Sequence, residues 1–93
     1  MEITTWDFAV YSYTSWRTVG DRLEVGHLYT PQGFVDCTIF PPHKTRGQLL
    51  IGNFIFAGRI HTMWTERPMG FTHLAATRIV RKWIRGITSA EDN

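Results

Sequence analysis

Cysteine is almost absent from this sequence, since Cys37 is the only one among 93 residues. A single thiol forms no disulfide within the chain, which excludes the small folds held together by disulfide bonds. Cys37 alternates with Val35 and Ile39 in an apolar stretch. We therefore predict that Cys37 lies buried in a strand, where a free cysteine behaves as a small hydrophobic residue.

Long apolar runs are also lacking. The longest, residues 49–60, is interrupted by two glycines, an asparagine and an arginine, whereas a transmembrane helix needs about 20 apolar residues. Near the N-terminus, Glu2 and Asp7 stand where a signal peptide would carry cations. We therefore expect no association with a membrane and a cytoplasmic location.

Motifs for metals, cofactors and nucleotides are missing as well. The sequence contains no metal-binding spacing such as C-x-x-C or H-E-x-x-H. Its eight glycines form neither of the common phosphate-binding loops, G-x-x-x-x-G-K-[ST] and G-x-G-x-x-G. We therefore predict no metal, no cofactor and no enzymatic activity. A toxin-like ribonuclease is the less favoured alternative, because acid–base groups and a phosphate-binding cation occur close together in the sequence. Its residues would be His61, Glu66, Arg67 and His73, and the sequence leaves open whether they converge.

Acidic residues are scarce in the second half of the chain. Residues 44–87 contain eight lysines and arginines against a single acid, Glu66, for a net charge of +7. Residues 1–43 carry a net charge of −3. Such an asymmetry favours an anionic partner near the second half.

The alternation of apolar and polar residues predicts a series of antiparallel strands. They are expected at residues 6–16, 22–29, 34–40, 49–56 and 59–65. The strand at 49–56 is apolar enough to be buried on both faces. The turn between the last two strands stays open: Ala57-Gly58 gives strands of normal length, whereas Gly52-Asn53 is the stronger signal for a two-residue hairpin.

An amphipathic helix is predicted from Thr72 to Ile87, with Thr72 as its N-cap and Gly86 as its end. Packed on the strands, this helix gives an α+β fold: an antiparallel meander of four or five strands with one carboxy-terminal amphipathic helix packed on the sheet. We expect one domain at residues 1–88 and a short disordered tail at 89–93.

One side of the predicted helix carries four cations at positions i, i+3, i+4 and i+7, which are Arg78, Arg81, Lys82 and Arg85. Cations near a helix C-terminus are favourable even on a purely solvated face. The absence of interspersed acids favours a binding role instead. We predict a small non-enzymatic protein that binds DNA, RNA or a nucleoprotein through this helix, supported by Lys44, Arg46 and Arg59.

The alternative function is that of a phage- or mobile-element-type inhibitor or adaptor, which would act by protein–protein interaction on a larger host complex. A compact chain with many aromatic residues and a cationic helix would suit an acidic protein surface equally well.

Thirteen aromatic residues are many for so short a chain. The first predicted strand has aromatic residues on both faces, with Tyr11 and Tyr13 opposite Trp6 and Phe8. A single helix covers only one face of a sheet. We therefore expect Tyr11 and Tyr13 to be exposed for binding, and a second copy in a homodimer or a partner protein to cover the second face.

Overall fold

The computed structural model describes residues 13–30, 33–44 and 46–92. Five strands are followed by one helix: β1 Tyr13–Val19, β2 Leu23–Thr30, β3 Gly33–Phe40, β4 Gln48–Phe56, β5 Arg59–Arg67 and α1 His73–Asp92. Each strand pairs in antiparallel fashion with the next, in the order β1-β2-β3-β4-β5. The predicted α+β meander with a carboxy-terminal helix is confirmed.

Most of the first predicted strand, including Tyr11, lies outside the described residues. The described part, β1, continues three residues past the predicted end at Trp16. The other four strands begin and end within two residues of the predicted positions.

The turn between β4 and β5 is formed by Ala57 and Gly58, because Phe56 pairs directly with Arg59. Both turn residues have positive φ, 53° for Ala57 and 73° for Gly58, as a type I′ hairpin turn requires. The alternative turn at Gly52-Asn53 is wrong. Those two residues lie in the middle of β4, where Gly52 pairs with Met63.

The hydrophobic core lies between one face of the sheet and α1. The inward-facing residues of β2, β3 and β4 form one side of the core. The other side is formed by a row of apolar residues on α1 that are spaced about one helical turn apart. The buried apolar residues are Leu28, Val35, Cys37, Ile39, Leu50, Phe54, Phe71, Ala76, Val80 and Ile84. This row on α1 fixes which side of the helix faces solvent.

Cys37 is buried, as predicted, with 2% of its surface exposed. Burial, and to a lesser extent the nearby Asp36 carboxylate, raises the pKa of the Cys37 thiol from 9.0 to about 12. At neutral pH the thiol is therefore protonated, and it behaves as a small core residue.

Trp16 on β1 holds the first half of α1. Its indole Nε1 donates a hydrogen bond to Thr77 Oγ1 at 3.1 Å, and its ring stacks on the His73 imidazole with centroids 4.9 Å apart. His73 also contacts the Glu24 carboxylate on β2. Trp16 lies across its cross-strand partner Gly26, where a Cβ atom would come within 2.7 Å of the indole ring.

Trp83 holds the second half of the helix against β4. A Cβ atom on Gly52 would lie 3.4 Å from the Trp83 ring and 3.2 Å from Met63. The Phe54 ring meets Trp83 edge-on with centroids 6.3 Å apart. Gly52 therefore serves as a site of close helix–sheet packing, which explains a glycine in the middle of a strand.

The start of α1 agrees with the prediction, whereas its end does not. Thr72 Oγ1 accepts a hydrogen bond from the Ala75 amide at 3.0 Å, as expected of an N-cap. The helix continues through Gly86 to Asp92, so the predicted end at Gly86 is wrong, and most of the predicted tail is helical. Ile87 packs against the core, which stabilises an additional turn beyond the glycine.

Within the described ranges, no helix is both long and apolar enough to span a membrane.

Candidate functional site

Three of the four predicted helix cations form an outward-facing row. Arg78, Lys82 and Arg85 are exposed, and they lie on the side of α1 opposite the buried Val80 and Ile84. At 1.5 Å of rise per residue, the row is about 10 Å long. We call these three residues the cationic row.

Arg81 does not belong to the cationic row. It is half-buried, one helical turn beyond Thr77 and therefore on the flank that faces β1. Its Nε atom has no hydrogen-bond partner among the residues that the structure describes. Successive residues of a helix are rotated by about 100° around its axis. This rotation places Arg81 on the side nearer the sheet, while Arg78, Lys82 and Arg85 point away from it.

Lys44 and Arg46 are exposed in the β3–β4 loop. The loop is closed by a hydrogen bond from the Arg46 amide to the His43 carbonyl at 2.9 Å, and Lys44 has a left-handed φ of 55°. Arg46 and the Glu66 carboxylate line the same surface depression, of about 250 Å³. This acid offsets part of the positive charge of the loop.

Arg59 is exposed beside the β4–β5 turn, at the other end of the sheet from the β3–β4 loop. The nine residues of β4 separate the two ends, which corresponds to about 30 Å. The cationic row lies between them, because α1 runs from the level of Glu24 towards that of Phe54. The candidate cations therefore form a central row with two separate outlying groups.

The four candidate ribonuclease residues do not converge. Glu66 and Arg67 are successive in β5 and point to opposite faces of the sheet. Glu66 accepts a hydrogen bond from the Gly47 amide at 3.2 Å, and the Arg67 guanidinium lies over the Phe71 ring. His61 is six residues from Arg67 along β5, or about 20 Å, and His73 contacts Glu24 instead.

No group of three or more potential metal ligands occurs within residues 13–30, 33–44 and 46–92. A second surface depression, about 450 Å³, lies beside the start of α1 and is lined by Gln48, Arg67 and Phe71 among others. The Gln48 side-chain oxygen in this depression accepts the Phe71 amide at 2.6 Å. This hydrogen bond ties the segment that leads into α1 to the start of β4.

The face of the sheet that points away from α1, which we call the outer face, is largely apolar. Among the residues whose burial the structure describes, seven large apolar ones on it are exposed: Val19, Tyr29, Phe34, Phe40, Ile55, Ile60 and Trp64. The prediction that residues 49–56 are buried on both faces is therefore wrong for the single chain, since Ile55 is 64% exposed.

The predicted exposure of Tyr11 and Tyr13 stays a prediction. Tyr11 lies outside the described residues, and so does the side chain of Tyr13. Trp64 is 69% exposed, and sequence analysis did not single it out. The alternation of Ile60, Thr62 and Trp64 places them on one face of β5, but only the fold decides which face the helix leaves uncovered.

Comparison with known proteins gives no relative for this chain: no family model matches it, no curated protein matches it and no solved structure matches it.

Proposed function

We propose that this protein is a small non-enzymatic binding protein that engages an anionic macromolecule, DNA or RNA or a nucleoprotein, through the cationic row of α1. The observation that carries the proposal is the outward position of Arg78, Lys82 and Arg85 on one exposed helix face. No acid occurs in the sequence between Glu66 and Glu91, so no carboxylate on this part of the chain neutralises the row.

The spacing of the row suits a polyphosphate backbone. Phosphates along one strand of duplex DNA recur about every 3.4 Å of helix axis, so a row of about 10 Å spans about three of them. Arginine contributes two of the three side chains, and its planar guanidinium makes bidentate contacts with phosphate oxygens. Lys44 and Arg46, in the β3–β4 loop, would supply a second and separate contact with the same macromolecule.

A non-enzymatic role is supported by the separation of His61, Glu66, Arg67 and His73, which would otherwise supply acid–base groups and a phosphate-binding cation. General acid–base catalysis needs these groups within hydrogen-bond distance of one substrate. Their placement on two faces and at two levels of the sheet disfavours a shared active site.

The proposal is tested by titrating fluorescent single- and double-stranded oligonucleotides with the full chain at two salt concentrations. Three phosphate contacts with duplex DNA should weaken the affinity about 40-fold between 50 and 200 mM salt. The double variant R78E/K82E should lose binding at both concentrations. Its fold should be retained, because two acids four residues apart repel one another about as much as the two cations they replace.

A matched control distinguishes the effect of the cationic row on binding from the effect of net charge. Lys82→Glu and Arg22→Glu change the charge equally at exposed positions, but Arg22 lies in the β1–β2 turn, away from the cationic row. Lys82→Glu should weaken binding, and Arg22→Glu should have little effect. Equal losses in both variants would contradict a local site.

Absence of oligonucleotide binding at 50 mM salt would also contradict the proposal. A stoichiometric complex with an acidic protein, lost in R78E/K82E, would then favour the inhibitor or adaptor function.

A further inference from the structure

We infer that the outer face of the sheet is an interface for a second copy of this chain. The inference concerns the side of the molecule opposite to the cationic row, so it is independent of the proposed function. It rests on the size of the exposed apolar surface, on its layout in rows and on what could cover it.

The seven exposed apolar residues of the outer face have fractional exposures between 37% and 72%. With about 150 to 250 Å² for a large side chain, they expose on the order of 700 Å² together. A stable interface of standard size buries about 800 Å² on each partner, so this face alone approaches the area that a dimer needs.

The strand register arranges the outer face in rows that cross the sheet. One row contains Tyr29, Phe34, Ile55 and Ile60. Tyr29 pairs with Phe34 and Ile55 pairs with Ile60, and the β3–β4 register, in which Val35 pairs with Phe54, places Phe34 next to Ile55. The Tyr29 and Phe34 rings are in contact, with centroids 5.3 Å apart. Two rows away, Val25, Ile51 and Trp64 lie in another largely apolar line.

The row between them is polar, and it contains one hydrogen bond and one His–Asp pair within the chain. Thr62 Oγ1 donates to Asn53 Oδ1 at 3.0 Å, and His27 Nε2 lies 4.0 Å from Asp36 Oδ1. A second sheet could therefore cover this row without leaving the Thr62 hydroxyl or the Asn53 carbonyl unpaired, which would otherwise be costly.

The dimensions of the face suit a second sheet of the same kind. Five strands spaced about 4.8 Å apart are about 19 Å wide. The same sheet in another copy has the matching width, and two sheets pack face to face about 10 Å apart.

A symmetric dimer of this kind has four layers, helix–sheet–sheet–helix. Both cationic rows remain exposed in it, because each lies on the far side of its own helix. The contact is isologous, so each interface substitution occurs twice in the dimer.

The test is sedimentation velocity of the full chain across a concentration series. Dimerisation follows mass action. At the highest protein concentrations, the apparent mass of the wild-type protein should therefore be about twice the 10.8 kDa of one chain. Ile55→Lys places a charge on the outer face at β4, and Met69→Lys places the same charge at a residue that is 85% exposed in the turn before α1. Only Ile55→Lys should dissociate the dimer.

An interface residue of hot-spot strength changes affinity about 30-fold, so two copies should weaken the dimer about 1,000-fold. Trp64→Lys, on an edge strand that tolerates lysine, provides a second variant if Ile55→Lys does not fold, as judged by circular dichroism. The inference would be overturned by a wild-type monomer up to about 100 μM, where even a weak dimer of micromolar affinity would form. A dimer unchanged by both variants, or an equal loss with Met69→Lys, would also overturn it. Open-ended aggregation or an obligate complex with another protein would overturn it as well.

Discussion

Replacing Gly26 with alanine should destabilise the protein by about 2 kcal/mol, although alanine is ordinarily the better residue within a strand by about 0.5 to 1 kcal/mol. The added Cβ atom would lie 2.7 Å from two atoms of the Trp16 ring and 2.8 Å from a third. These are atoms of the rigid indole and not the end of a flexible side chain. The whole ring must therefore move.

Movement of Trp16 disrupts the interactions that hold the first half of α1. The hydrogen bond from Trp16 to Thr77 contributes about 1 kcal/mol, and the stacking on His73 contributes about 0.5 to 1.5 kcal/mol. Reduced burial of the indole adds to this loss, and the intrinsic preference for alanine offsets part of it. The balance gives about 2 kcal/mol.

The assay is urea denaturation followed by far-ultraviolet circular dichroism, with the change read from the midpoint at constant m-value. Gly86→Ala is the matched control, because Gly86 lies within α1 and no atom lies within 4 Å of the added Cβ. That variant should be stabilised by about 0.8 to 1 kcal/mol. The same chemical change should therefore have opposite signs at the two positions.

A double-mutant cycle with Trp16 tests whether the indole ring causes the loss of stability. In a Trp16→Leu background the indole is absent, so Gly26→Ala should lose most of its destabilising effect. The reasoning would be refuted if Gly26→Ala lay within about 0.5 kcal/mol of the wild type, the range of an ordinary surface substitution. A full effect in the Trp16→Leu background would refute it too.

Two further predictions concern the β4–β5 turn and the buried thiol. Ala57→Asn should raise the free energy of unfolding by about 0.5 to 1 kcal/mol, because Ala57 has a φ of 53° and Asn-Gly is a favoured type I′ pair; an unchanged urea midpoint would contradict this. Cys37 should react with Ellman's reagent only after unfolding. The pKa of its thiol in the folded state, about 12, exceeds the usual 9.0, so the folded state keeps the proton to higher pH. Its contribution to stability should therefore be constant below pH 9 and fall between pH 9 and 12, by up to about 1.4 kcal/mol per pH unit relative to Cys37→Ala; rapid labelling of the native protein would refute the burial.

The sequence by itself determined the features that depend on local periodicity. Alternation identified the strands, and the 3.6-residue repeat identified α1 and the side that carries Arg78, Lys82 and Arg85. The Thr72 cap was also predictable, since it depends on residues within one helical turn. Burial of Cys37 followed from its alternation with Val35 and Ile39.

Only the tertiary structure decided the role of each glycine. Gly52 resembles half of a hairpin turn in the sequence, but in the fold it admits Trp83 against β4. Gly86 resembles a helix end, yet α1 continues because Ile87 packs on the core. In both cases packing against residues that are distant in sequence outweighs the local preference.

The outer face shows the same division. The sequence indicated apolar residues on both sides of the sheet, because alternation assigns residues to two faces without saying which face is covered. Placement of α1 over Trp16, Gly26 and Gly52 decided that, and it left Trp64, Ile60 and Ile55 exposed. The course of a helix across a sheet is fixed by contacts among distant residues, which local patterning does not encode.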